Sequence, residues 1–243
     1  MKILISQKTP TNLASYSVLK EKYGVELEFH PFFLIEPLSA KEFRAQHINL
    51  PDYTAVVFTS RHAIDAYFKL CEEMRFKVPE TMKYFCTSEI IALYLQKHVV
   101  YRKRKIFFGE GNPESIVAQI GPKHKGEKFL ITTSAESNCE AMTSLFDKAG
   151  LEYTVAVMVK SVAQDLTGLN LIDYKAAVLY NTYDIKSLFA SFPAFKQDGL
   201  DFITYGKSIV GAMKESGLEI ALQAPTPEIP SVIKALDIYL QNK

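Results

Sequence analysis

The residues best able to do chemistry in this chain sit in short polar turns, each directly after an apolar run and before a helical pattern. They are Thr59-Ser60-Arg61, Thr87-Ser88, Thr132-Thr133-Ser134, Asn181-Thr182 and Gly206-Lys207-Ser208. In an open parallel α/β sheet such turns lie outside the carboxyl ends of the strands, where ligands bind. Hydroxyls and the unpaired backbone N–H groups of a helix N-terminus suit an anion. Ser, Thr and Asn also cap helices, so any single turn reads first as a cap. Several such turns in one chain, with Arg61, Lys160 and Lys207 near them, point instead to an extended polyanionic ligand.

Other chemistries are poorly served. Gly206-Lys207-Ser208 resembles the end of a phosphate loop, but that loop needs a glycine where Asp201 stands. His30, His47, His62, His98 and His124 include no pair at the i, i+4 spacing of a helical metal site, so no metal is expected. His62 alone lies near a strand end, and it reads as a turn histidine. No GxSxG elbow is present. The run Arg102-Lys103-Arg104-Lys105 is flanked by Tyr101 and Phe107-Phe108, but the net charge of the chain is only +1. The run reads as a solvated face, and no nucleic-acid partner is expected. Cys71, Cys86 and Cys139 have neither CxxC spacing nor clustered histidines, which argues against zinc and disulfides and for a reducing, cytoplasmic setting. The first residues contain too short an apolar run for a signal peptide, and no stretch is apolar enough to span a membrane.

The elements that must position these turns occur twice. Residues 53–68 read YTAVVFTSRHAIDAYF and residues 174–189 read YKAAVLYNTYDIKSLF, an offset of 121. Lys2-Ile3-Leu4-Ile5 returns as Lys128-Phe129-Leu130-Ile131, offset 126, and the segment after Ser88 returns after Lys207, offset 119. Strands are predicted at 2–6, 25–33, 55–58, 83–86, 99–101, 129–132, 153–159, 176–180 and 202–205. Helices are predicted at 12–23, 61–74, 89–97, from Pro113, at 136–149, after Asn181, at 208–215 and after Glu228. Alternation of this kind gives an α/β fold, two similar Rossmann-like parallel-sheet lobes. Chain crossings at 33–39 and 157–167 divide it into a discontinuous lobe, 1–35 plus 165–243, and a continuous one, 36–164. A cleft between two such lobes is where a small molecule would bind.

The segment Ala55-Val56-Val57-Phe58-Thr59-Ser60-Arg61-His62-Ala63-Ile64 resembles the signature of the uroporphyrinogen-III synthase family. So does the order Ser208-Ile209-Val210-Gly211-Ala212, Ser216-Gly217-Leu218, Ala224-Pro225-Thr226-Pro227-Glu228. The resemblance implies two lobes joined by a two-stranded connector. It implies a lyase of tetrapyrrole and haem biosynthesis that closes hydroxymethylbilane to uroporphyrinogen III with inversion of the last pyrrole ring. It implies no cofactor, a small-molecule partner and a monomer. The expected substrate contacts are Ser60, Arg61, Ser88, Thr133, Ser134, Asn181, Tyr183, Lys207 and Ser208, with Arg61 and Lys207 pairing carboxylates and the others donating hydrogen bonds. The sequence departs from the family pattern at Val159, at Asp184, expected to face and repel a polycarboxylate, and at Ile209. A paralogue that binds a tetrapyrrole or other polyanion without turning it over is the alternative.

Overall fold

The computed structural model describes residues 1–243 apart from the side chain of Lys207. In chain order the elements are β1 (Lys2–Ile5), α1 (Ala14–Tyr23), β2 (Glu26–Phe29), β3 (Phe33–Pro37), α2 (Ala40–Arg44), β4 (Ala55–Phe58), α3 (Arg61–Glu73), β5 (Lys83–Cys86), α4 (Glu89–Tyr94) and β6 (Ile106–Phe108). They continue with α5 (Pro113–Ile120), β7 (Lys128–Ser134), α6 (Glu140–Ala149), β8 (Glu152–Ala163), β9 (Ala176–Leu179), α7 (Thr182–Ser191), β10 (Asp201–Tyr205), α8 (Lys207–Glu215), β11 (Ile220–Ala224) and α9 (Val232–Gln241). The chain forms two compact units, residues 1–34 with 162–243, and residues 35–161. The strands β3 and β8 contain both boundaries, and they are neighbours in one sheet.

The first unit carries the sheet β2-β1-β9-β10-β11 and the second carries β8-β7-β4-β5-β6, with β3 added beyond β8. Apart from β3 these are the same sheet under the sequence repeat, and the register agrees residue by residue. Ile3 lies opposite Ala176, and Phe129, its counterpart, lies opposite Ala55. Lys2 lies opposite Glu26 and Lys128 opposite Glu152, each pair bridged by charge at 4.0 and 3.0 Å. The repeat also reaches further upstream than the apolar pattern suggests. Asn49 Nδ2 donates to Asp52 Oδ1 at 2.7 Å and Asn170 Nδ2 donates to Asp173 Oδ1 at 2.9 Å, in turns that lead into β4 and β9. One offset changes: Ala55 pairs Lys83 and Ala176 pairs Asp201, so β10 repeats β5 at 118, not 119.

Both sheets are covered on two faces, which is why β4 and β9 are unbroken apolar runs without alternation. In the second unit Val56, Phe58 and Leu130 pack under Ala63, Tyr67 and Leu70 of α3. Ala55, Val57, Phe129 and Ile131 pack on the opposite face against Ile116, Ile120 and Phe146 of α5 and α6. In the first unit Leu4, Ala177, Leu179 and Phe202 meet Ile185 and Leu188 of α7 and Ile209 and Met213 of α8. Ile3, Val178 and Ile203 meet Leu19 of α1 and Leu236 and Tyr239 of α9.

Two predicted strands change and one is added. The run predicted at 25–33 breaks into β2 and β3, because Pro31 cannot donate to a ladder. Residues 99–101 form no strand; Val100 is 79% exposed, and Ile106–Phe108 takes the place beside β5. The strand β11 was not expected, since Ile220–Ala224 alternates too weakly at a sheet edge to stand out.

Leu4 and Leu130 are equivalent, and neither is exposed. Truncation to Ala at either position is expected to cost about 2–5 kcal/mol, because each side chain fills a closed layer. Denaturant unfolding of the two variants measures this. A loss below about 1 kcal/mol at either position, within the range of surface changes, would contradict the packing described.

Candidate functional site

The polar turns of the second unit are tied together before they offer anything to a ligand. Thr59 Oγ1, just past β4, donates to the carbonyl of Thr132 at 3.0 Å, and Thr132 Oγ1 donates back to Val57 O at 2.8 Å. Ser60 caps α3, its Oγ accepting from Ala63 N at 3.1 Å. Ser88 precedes α4 in the extended conformation of a cap, yet its side chain makes no cap bond. Helices α3 and α4 thus start side by side, and between them opens a cavity of about 580 Å³. Its lining includes Ser60, Arg61 and Ser88, and it adds His62, Asp65 and Tyr94.

The cavity holds Arg61 and Asp65, and the two do not pair with each other. Tyr94 Oη donates to Asp65 Oδ2 at 2.6 Å. His98 Nε2 lies 2.8 Å from Asp65 Oδ1, and because an ionised carboxylate only accepts, the imidazole donates. His98 in turn lies flat on Phe68, ring centres 4.6 Å apart. Partial burial pushes the Asp65 carboxyl up, but the bonds from Tyr94 and His98 outweigh it and hold the group below its ordinary value. The Tyr94 phenol is raised, chiefly by its bond to Asp65. With Asp65 committed, the Arg61 guanidinium makes no ion pair among the described residues; it rests over the Tyr94 ring at 5.7 Å. A guanidinium with a flat support and no carboxylate partner suits a carboxylate from outside.

The other expected contacts are placed differently. Thr133 is buried, accepting from Cys139 Sγ at 3.0 Å and donating to Ser134 O at 3.4 Å, so it has no free donor at the surface. Ser134 is partly exposed and bonded to Ser137 Oγ at 2.7 Å; neither residue lines the cavity. Lys160, at the same edge by sequence, is bound to Glu42. In the first unit Asn181 caps α7, its Oδ1 accepting from Tyr183 N at 2.6 Å. The Tyr183 ring lies against Phe33 at 5.7 Å and under Lys186 Nζ at 4.6 Å. Ser208 is exposed in the first turn of α8, and the side chain of Lys207 lies outside the described residues. Gly206, the cap of α8, has φ +150°, and a Cβ there would meet Tyr180 O at 2.9 Å. Only glycine lets these two turns approach so closely. Asp65 and Tyr94 were missed from the sequence. Asp65 is one helical turn beyond Arg61, a spacing that signals a shared face, but nothing local ties Tyr94 to it.

The three departures from the family pattern are internal. Val159 is buried opposite Ser134, and Ile209 is buried in the α7/α8 layer. Asp184 was expected to face a ligand and does not: it is 0% exposed, and its Oδ2 accepts from Tyr180 N at 2.6 Å and Asn181 N at 3.1 Å. A carboxylate at N3 of a helix folds back to cap the turn before it, and here that turn faces the sheet.

A family profile described as uroporphyrinogen-III synthase HemD matches residues 14–234. Among solved structures, the chain is similar to uroporphyrinogen-III synthetase from Helicobacter pylori, with 16% identity, TM-score 0.60 and 100% and 99% of the two chains covered. It is also similar to a mutant uroporphyrinogen III synthase from Thermus thermophilus, with 12% identity, TM-score 0.55 and both chains fully covered. These likenesses are of fold. No curated relative matches the chain.

Burial pushes the Asp184 carboxyl up to about 6 from 3.8, against the two backbone N–H groups and, from beyond hydrogen-bond geometry, the Ser6 hydroxyl. The folded state therefore holds this proton more tightly than the unfolded chain. The resulting stabilisation is present below about pH 4 and is lost as pH rises through about 6, roughly 3 kcal/mol in all. Asp184→Asn removes this contribution. Relative to the wild type, its unfolding free energy is expected to rise by about 3 kcal/mol between pH 4 and pH 7. Parallel pH–stability curves for the two proteins would contradict it.

Proposed function

The chain belongs to the uroporphyrinogen-III synthase family, and from that premise we propose that it closes hydroxymethylbilane to uroporphyrinogen III, a cyclising hydro-lyase reaction. The observation that carries this reading is the Arg61 guanidinium, held over Tyr94 without an internal carboxylate partner beside the uncommitted start of α4. A substrate rich in carboxylates supplies the missing partner. In the proposed reaction the substrate loses its hydroxyl as water to give an electrophilic azafulvene. Attack by the substituted carbon of the terminal ring gives a spiro intermediate, which reopens and recloses with that ring inverted. Hydrogen-bond donors placed around the leaving hydroxyl and the carboxylates do the work, by stabilising charge and by fixing one geometry of a flexible chain.

The proposed contacts are Ser60, Arg61, Ser88 and Ser134 in one unit and Asn181, Tyr183, Lys207 and Ser208 in the other. Thr133 is withdrawn, because its hydroxyl is internal. No residue is assigned as acid or base. A cytoplasmic monomer without a cofactor remains part of this reading. No described helix is long and apolar enough to cross a membrane. The binder alternative draws its weight from Val159, Tyr183-Asp184 and Ile209; the side chains of Val159, Asp184 and Ile209 are buried.

Isomer analysis of the product formed from hydroxymethylbilane tests the activity: isomer III is expected, and a mixture matching spontaneous closure to isomer I refutes it. A charged hydrogen bond partly removed from water is worth about 1.5–3 kcal/mol, so Arg61→Ala is expected to raise KM roughly 10–100-fold. Arg104 is exposed in the basic run, and Arg104→Ala should change KM by less than about fivefold. Equal effects would move the site to the basic run.

A further inference from the structure

We infer that Asp184 is a positioning residue: its buried carboxylate anchors the turn between β9 and α7 and so fixes where Asn181 and Tyr183 stand. The inference rests on the reading of those two residues as substrate contacts. It begins from a difference between the two repeats. In the second unit the layer under the start of α3 is apolar, with Ala63 and Ala66 on the helix and Cys86 on β5. Thr132 on β7 is the polar member, and its hydroxyl is satisfied by Val57 O at 2.8 Å. The equivalent positions in the first unit are Asp184, Ser187, Thr204 and Ser6, all polar and all buried. Asp184 Oδ1 and the hydroxyls of Ser6, Ser187 and Thr204 have no hydrogen-bond partner among the described residues.

Buried polar groups without partners are destabilising and are not retained by packing alone. The one polar contact made firmly here is Asp184 Oδ2 to the N–H groups of Tyr180 and Asn181. Those two amides begin the turn in which Asn181 Oδ1 accepts from Tyr183 N. Ser60 caps α3 in the second unit with its own side chain, and Ala63 has no acceptor to offer. In the first unit the turn is therefore held from within, by a charge, as well as by its own cap.

The groups that face Asp184 are Ser6 just past β1, Tyr180 just past β9, Ser187 on α7 itself and Thr204 on β10, with Ile209 and Met213 of α8 in the same layer. None is charged at neutral pH, and no described cation pairs with the carboxylate. Burial raises its carboxyl to about 6, and the two bonds to the turn oppose that rise, because an ionised carboxylate is the better acceptor.

The test uses the full-length protein with Asp184→Asn, which keeps an acceptor in place, and Asp184→Ala, which does not. Amide hydrogen exchange at Tyr180 and Asn181, corrected for intrinsic rates, and KM and kcat for hydroxymethylbilane are measured near pH 7.5 and pH 5. Asp184→Asn, which keeps an acceptor, should retain most of the protection, and Asp184→Ala should lose it roughly tenfold or more at either pH. KM should rise with protection lost, and kcat should change less. Unchanged protection in Asp184→Ala overturns the inference. Lost protection with unchanged KM also overturns it, and Asn181→Ala then shows where it failed. If Asn181→Ala raises KM, the anchoring claim is wrong; if it too leaves KM unchanged, the substrate contact at Asn181 is wrong.

Discussion

The pairing of β1 with β9, and of β7 with β4, sets the frame on which every other feature hangs. These are the central strands of the two sheets, parallel and covered on both faces. A parallel strand buried on both sides has no solvated face on which to carry a polar residue, so polar groups are pushed to its ends. At the carboxyl end the chain must turn into a helix whose first N–H groups lack partners. Ser60 and Asn181 meet that need as caps, and Thr59 and Thr132 lock neighbouring strand ends together. The residues that could touch a ligand are thus those the sheet cannot take inside and the caps do not use up. That selection leaves Arg61 and Ser88 at one edge.

The same frame shows how two copies of one layout can diverge without losing it. Register, edge ion pairs and the Asn–Asp turns before β4 and β9 are shared. What differs is the layer between sheet and helix. Alanines in one unit are replaced by a carboxylate and hydroxyls in the other, and the space that packing filled in the first is spent on polar groups in the second. The cost of burying Asp184 is visible in its raised carboxyl. It is offset in part by two charge-assisted bonds to the turn.

Much of this was legible in the sequence because it is local. Unbroken runs such as Ala55–Phe58 and Ala176–Leu179, with a capping residue directly after, identify both the strand and the helix start. Their recurrence at fixed offsets gives the order of the sheets. What was not legible depends on neighbours distant in sequence. Val100 looks like a strand residue, yet the place beside β5 goes to Ile106–Phe108. Thr133 looks like a donor at a strand end, but whether the hydroxyl points outward depends on where Cys139 sits. Asp184 stands at the place of Ala63 in the other repeat, under the helix, but a carboxylate at a strand end reads as a surface group until the packing is seen. Tyr94 and Asp65 meet only because α3 and α4 lie side by side.

The proposed recognition of an anion cannot come from net charge, which is +1. It depends on local placement, and in the second unit several carboxylates have partners of their own. Glu42 is taken by Lys160, Glu127 by Lys83 and Asp65 by Tyr94 and His98. The first two pairs remove a cation along with each anion and leave the balance unchanged. The third differs: Tyr94 and His98 occupy both Asp65 oxygens, so Asp65 stays ionised without bonding Arg61, and Tyr94 presents its ring to the guanidinium. An aromatic face supports a guanidinium without neutralising it and keeps its N–H fork available for a bidentate partner. Lysine in place of Arg61 would keep the charge but lose both the stacking and the fork. The geometry around Tyr94 therefore suits arginine over lysine at position 61.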